Sequence, residues 1–126
     1  RASRLTVVGA FHSPIMESAA GRLAEAMQKI AWKLPKIPVI SNVTAQPHER
    51  SIESIKNRLV EQLTSPVRWS QSMSWLINST ESPMNELTPG KVLSGLMRRI
   101  DRKTKILNHL EPDDTVHVPN TAAMVK

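Results

Sequence analysis

The chain has no cysteine and no tyrosine, and only one phenylalanine and three tryptophans in 126 residues. Without cysteine there is no disulfide, no thiolate metal site and no thiol nucleophile. With aromatic residues at 3%, any core is aliphatic. No run approaches the ~20 apolar residues that a membrane-spanning helix requires, and the N-terminus carries no apolar signal core. Cytoplasmic localisation is the expectation that fits these absences. The chain also begins without methionine. It opens on Arg1-Ala2-Ser3-Arg4 and passes straight into Leu5-Thr6-Val7-Val8, as a piece cut from a longer polypeptide would.

What is present is 40% hydrophobic and carries a formal net charge of +6. Apolar residues recur along most of the length, which argues for a folded domain rather than a disordered chain. A basic balance favours acidic partners: nucleic acid, phosphate-bearing substrates or an acidic carrier protein. The densest basic run is Arg98-Arg99-Ile100-Asp101-Arg102-Lys103-Thr104-Lys105. It reads as a solvated helix end whose cations complement the helix dipole. No aromatic side chains interleave with it, as single-strand nucleic-acid binding would require.

Periodicity predicts short strands alternating with helices. Leu5-Thr6-Val7-Val8 is a strand. A helix follows from 14 to about 33, with Ser13 as N-cap, Pro14 in the first turn, and Ile15, Ala19, Leu23, Ala26, Met27, Ile30 and Leu34 on one face. Pro35 ends it. Residues 36–43 read as a strand covered on both faces. Ser51 caps a second helix to about Leu63, and a third spans 70–78. Residues 84–87 form a short strand, and the Thr88-Pro89-Gly90 turn leads into a fourth helix to about Asp101. Residues 105–108 form a last strand, and the chain from 111 is a loose tail. This alternation predicts an α/β fold with a mainly parallel sheet. Such folds place sites beyond the carboxyl ends of their strands. His12, Asn42 and the Thr88-Pro89-Gly90 turn all follow predicted strands and would share one rim.

His12 lies at a strand-to-helix junction, where it is either a structural turn residue or a catalytic base. Asn42 is a cleft-lining residue or a turn former. His48, His109 and His117 are too far apart for a local metal motif and read as solvated. Trp32, Trp69 and Trp75 read as packing residues. Lys91, Arg98 and Arg99 face either solvent or the phosphates of an acidic partner.

Four ordered stretches are more specific. They are Gly9-Ala10-Phe11-His12-Ser13-Pro14-Ile15-Met16, then Ile37-Pro38-Val39-Ile40-Ser41-Asn42-Val43-Thr44. The third is Leu59-Val60-Glu61-Gln62-Leu63-Thr64-Ser65-Pro66-Val67-Arg68-Trp69, and the last Thr88-Pro89-Gly90-Lys91-Val92-Leu93-Ser94-Gly95-Leu96. Together they resemble the C-terminal portion of the malonyl-CoA:acyl carrier protein transacylases, an acyltransferase family of fatty acid synthesis. The resemblance implies part of an α/β-hydrolase-like core over 9–108, with residues 1–8 closing a ferredoxin-like small subdomain and 109–126 as the tail. It implies a seryl ester intermediate, malonyl-CoA as substrate, acyl carrier protein as acceptor, and no bound cofactor. Neither nucleic acid nor membrane is an expected partner.

By the same resemblance His12 is the general base. Gln62 orients it through the backbone, in place of the usual acid. Asn42, from its place after an expected strand, is a candidate substrate-binding residue. The family's Gly-x-Ser-x-Gly nucleophile elbow does not occur in this chain. None of its serines, Ser13, Ser41 and Ser94 among them, takes the nucleophile's place. The chain alone is therefore expected to be inactive and to need the missing N-terminal half of the fold. The alternative is a non-catalytic fragment or carrier-protein-binding module. Thr88 stands where the family has glycine, which would strain the turn if that position needed a positive φ.

Overall fold

The computed structural model describes residues 9–109. The strand expected at 5–8, the tail from 111 and His117 lie outside them. The backbone divides into two compact units, Arg1–Ser79 and Thr80–Lys126.

In the first unit a 3₁₀ turn, Pro14–Met16, runs into helix α1, Glu17–Gln28. Helices α2, Ile52–Glu61, and α3, Trp69–Ser79, follow. Helices α1 and α2 pack together, burying Ala20 and Met27 on one and Ile55 on the other. The α2 start is as expected: the Ser51 hydroxyl accepts the Ser54 N–H at 3.2 Å, satisfying one of the orphan donors of the first turn. Ser13 holds the N-cap position of the 3₁₀ turn with extended backbone but makes no side-chain cap. Its hydroxyl instead donates back to the Ala10 carbonyl at 2.6 Å.

Helix α1 ends earlier than Pro35 suggested. The Lys29 and Ile30 N–H groups turn back to the Ala26 and Met27 carbonyls, and the Trp32 indole N–H donates to the Met27 carbonyl at 2.9 Å. The indole is held in turn by Lys56 of α2, whose Nζ lies 5.6 Å from the ring centroid, a cation–π distance. The last carbonyls thus find partners without a further helical turn. Ile30 and Leu34, expected on the apolar face, lie off the helix and are exposed, as is Ile15 at its start.

The strand expected at 36–43 is also corrected. The described residues show there only one isolated antiparallel bridge, Ile40 with Pro47. The Ser41 N–H donates to the Gln46 carbonyl and the His48 N–H to the Val39 carbonyl, both at 2.9 Å. A β-branched run becomes a strand only when a ladder pairs it, and this one closes on its own loop while Ile37 and Val39 stay exposed.

The second unit holds a two-stranded parallel sheet, β1 (Met84–Glu86) and β2 (Ile106–Asn108), with Glu86 opposite Asn108. Parallel strands need a crossover connection, and here it carries helix α4, Val92–Met97. The fold is α/β with a small parallel sheet. Helix α4 is shorter than expected because Asp101 organises the chain after it: its carboxylate accepts the Lys103 and Thr104 N–H groups and the Thr104 hydroxyl. The basic run thus begins at the end of α4, with Arg98 as its C-cap, and continues through the turn that Asp101 organises. Met97 is buried at 1% exposure, while Val92 is 70% exposed. Gly90 has φ +93°, the left-handed value glycine suits. Thr88 is not in that region, so the strain expected of a residue replacing glycine does not arise there.

Candidate active site

The first unit brings together three residues from three segments. His12 sits between the 9–11 turn and the Pro14–Met16 turn with φ +59°. A non-glycine residue rarely adopts that conformation, and it aims the side chain away from where an extended residue would send it. The turn is fastened on its far side by the Ser13 hydroxyl bond to Ala10 and by the Met16 N–H bond to Ser13 at 3.0 Å.

Opposite lies the end of α2. Gln62 is its C-cap, and its N–H still bonds back to Arg58 at 3.1 Å. Its carbonyl belongs to the last helical turn, where acceptors have no intrahelical donor and the helix dipole adds partial negative charge. That carbonyl lies 2.7 Å from His12 Nδ1. A carbonyl can only accept, so in this contact Nδ1 carries the hydrogen, and in the neutral ring Nε2 then presents its lone pair. The imidazole itself is exposed.

Asn42 completes the group. Its Nδ2 donates to Gln62 Oε1 at 3.1 Å, and its own carbonyl accepts the Arg68 N–H at 3.0 Å. His12, Gln62 and Asn42, separate in sequence, are thus one connected cluster. The Thr88-Pro89-Gly90 turn, expected on the same rim, belongs to the second unit and is described with it. The serines near the motifs are committed elsewhere. Ser13 holds Ala10, and buried Ser41 accepts the Val43 N–H. Buried Ser94 gives its hydroxyl hydrogen to Glu86.

His48 departs from the solvated histidine expected of a loop. It is half-buried, and its Nδ1 is buried without a partner among the described residues. Burial, aided by the Arg58 charge, pushes its pKa down. His109 is half-buried too, its Nε2 donating to Asn85 Oδ1 at 2.9 Å. Among the described residues no three His, Asp or Glu side chains gather as a metal site.

No family model matches the chain. It is 41% identical over 113 residues to malonyl CoA-acyl carrier protein transacylase of Bacillus subtilis, which covers 90% of this chain and 35% of that protein. Among solved structures, the malonyl-CoA:acyl carrier protein transacylase of Xanthomonas oryzae pv. oryzae matches with a TM-score of 0.80 at 41% identity, over 87% of this chain and 35% of that one. A malonyl-transacylase solved in complex with a type II PKS acyl-carrier protein matches with a TM-score of 0.79 at 33% identity, over 85% of this chain and 34% of that one. The chain resembles about a third of a malonyl-CoA:acyl carrier protein transacylase. The likeness seen in the four motifs extends over nearly all of this chain.

One cluster escaped the sequence reading. Glu86 of β1 is 4% exposed. Its carboxylate accepts the Leu93 N–H at 2.8 Å, the Ser94 N–H at 3.0 Å, the Ser94 and Thr88 hydroxyls and Asn108 Nδ2 at 2.7 Å. The Ser94 hydroxyl bond, followed by the backbone donors and Thr88, outweighs burial and holds its pKa below the usual glutamate value. A lone acid in a short strand just before a proline-glycine turn was the available signal.

Proposed function

We propose that this chain is the C-terminal portion of an acyltransferase that moves malonyl from coenzyme A to the phosphopantetheine thiol of an acyl carrier protein, in cytoplasmic fatty acid synthesis. The rest of the protein supplies the nucleophilic serine. The finer fold follows the same reading: an α/β-hydrolase-like core whose ferredoxin-like small subdomain ends at residues 1–8. The observation that carries it is the 2.7 Å contact between His12 Nδ1 and the Gln62 carbonyl. The relative solved with a carrier protein supports that class of acceptor.

In this mechanism His12 Nε2 takes the serine Oγ proton as the oxygen attacks the malonyl thioester carbon. The tetrahedral intermediate collapses, the C–S bond breaks, and the leaving coenzyme A thiolate takes the proton from the imidazolium. The carrier-protein thiol then gives its proton to Nε2 and attacks the seryl ester. The serine leaves as its oxygen recovers that proton. Throughout, the Gln62 carbonyl accepts from Nδ1–H, fixing the tautomer that leaves Nε2 free to act. A neutral carbonyl at a helix C-terminus stabilises the imidazolium less than a carboxylate would. A thiolate is an easier leaving group than an amine, so less assistance suffices. The chemistry needs no resident cofactor, because coenzyme A enters as substrate.

The test is covalent labelling with radiolabelled malonyl-CoA. The 126-residue chain alone is expected to acquire no label, and the protein assembled with its N-terminal half to acquire label and pass it to holo acyl carrier protein. Label on the chain alone would place the nucleophile within it and contradict this reading.

A further inference from the structure

Gln62 takes part in the cluster twice. Its backbone carbonyl meets His12, and its side-chain oxygen meets Asn42. The residue caps a helix end, where hydrogen bonding thins out and the last turn frays. After it, the Leu63 and Thr64 N–H groups bond to Val60 and Glu61, so the chain leaves α2 through tightened turns. Asn42, by contrast, stands on a braced loop. The Ser41 N–H is bonded to Gln46, the Ala45 N–H to Ser41, and the Asn42 carbonyl holds the Arg68 N–H at the entry to α3. The 3.1 Å amide–amide bond therefore ties a helix end to a fixed abutment.

We propose that Asn42 is a positioning residue that acts through Gln62. It latches the Gln62 side chain so that the Gln62 carbonyl stays on His12 Nδ1 and holds the imidazole in the Nδ1–H tautomer. This role differs from contact with the substrate, and it rests on the reading of His12 as the base only for its catalytic consequence. The tautomer itself is a property of this chain.

The experiment is nitrogen NMR of the 15N-histidine-labelled chain within the protein assembled with its N-terminal half. The His12 signals are assigned by their loss in His12→Gln, and each variant's thermal melt is recorded alongside. The wild-type chain is expected to show His12 mainly as the Nδ1–H tautomer. Asn42→Ala is expected to shift it toward the Nε2–H form that predominates in free imidazole side chains, with the melt little changed. Gln62→Ala keeps the carbonyl but removes the other half of the latch. It is expected to shift the tautomer equally, and the double variant no further, as for two residues acting through one bond. It also provides the reading if Asn42→Ala unfolds. Asn42→Asp retains the tautomer, because the Gln62 amide can rotate to donate to the carboxylate. An unchanged tautomer in folded Asn42→Ala or Gln62→Ala overturns the proposal. In the assembled transacylase, Asn42→Ala is expected to lower kcat about tenfold with KM for malonyl-CoA unchanged. A raised KM with unchanged kcat would make Asn42 a substrate contact and also overturn it. A shifted tautomer with unimpaired transfer would leave the latch standing and instead count against His12 as the base.

Discussion

The two units each gather polar side chains around one ionisable group, and they treat it in opposite ways. In the second unit Glu86 is buried and its carboxylate is saturated by the Thr88, Leu93, Ser94 and Asn108 donors. In the first unit His12 is exposed on a left-handed backbone and, among the described residues, is bonded through Nδ1 alone, to Gln62. A saturated buried carboxylate has nothing left to offer a substrate. It links β1, α4 and β2, and its removal would strand buried donors. Among the described residues the histidine's Nε2 has no hydrogen-bond partner, and its backbone is held in a costly conformation by bonds on either side. The contrast separates the group that holds the fold from the group proposed to move a proton.

The comparison can be broken from the structural side first. Met97→Ala, at the most buried side chain of the second unit, is expected to cost about 2–5 kcal/mol. Amide exchange at Leu93 and Ser94 should speed up, while His12 keeps its tautomer. A His12 tautomer that shifted as well would break the contrast drawn between the two groups.

Acid gives the next effect. The folded Glu86 pKa is depressed, so its stabilisation is fully present above the unfolded glutamate value of about 4.3. It is lost as pH falls through the lower folded value, because the unfolded state then binds the extra proton. Asp101, held down chiefly by the Thr104 hydroxyl and then by the Lys103 N–H, acts in the same direction. Melting temperature measured against pH should fall in acid, and Glu86→Gln should flatten that fall while lowering the neutral-pH value. An unchanged profile in Glu86→Gln would show that folding does not shift the Glu86 pKa, against the depression described.

Smallest is Ser51→Ala, which removes the N-cap bond of α2 at a cost of about 0.5–2 kcal/mol. Because α2 carries Gln62 at its other end, the variant tests how far the base's orientation depends on the helix as a whole. Circular dichroism melts should shift by a few degrees with the His12 tautomer retained.

Much of the site was legible in the sequence, because four motifs in a fixed order constrain identity more tightly than any one residue. His12 and Gln62 were named from them and Asn42 from its place after an expected strand; the structure brings the three together, and their roles stand as proposals. The periodicity of α2 and α3 and the short strands at 84–86 and 106–108 were legible too, since helical spacing and turn residues act locally. What failed depended on which hydrogen-bond partners particular groups find, which spacing alone does not show. The end of α1 was set by the Trp32 indole rather than by Pro35, and the strand at 36–43 needed a ladder that the described residues do not supply. Glu86 passed unnoticed because a single acid in a three-residue strand says nothing about donors that arrive from Leu93, Ser94 and Asn108.

The central claim is that His12 moves the proton. Its most direct test is malonyl transfer to holo acyl carrier protein by the assembled transacylase carrying His12→Ala, with melting followed in parallel. The rate is expected to fall by roughly 10²–10⁴-fold while the melt stays near that of the wild type. Transfer at the wild-type rate in a folded His12→Ala protein would contradict the account.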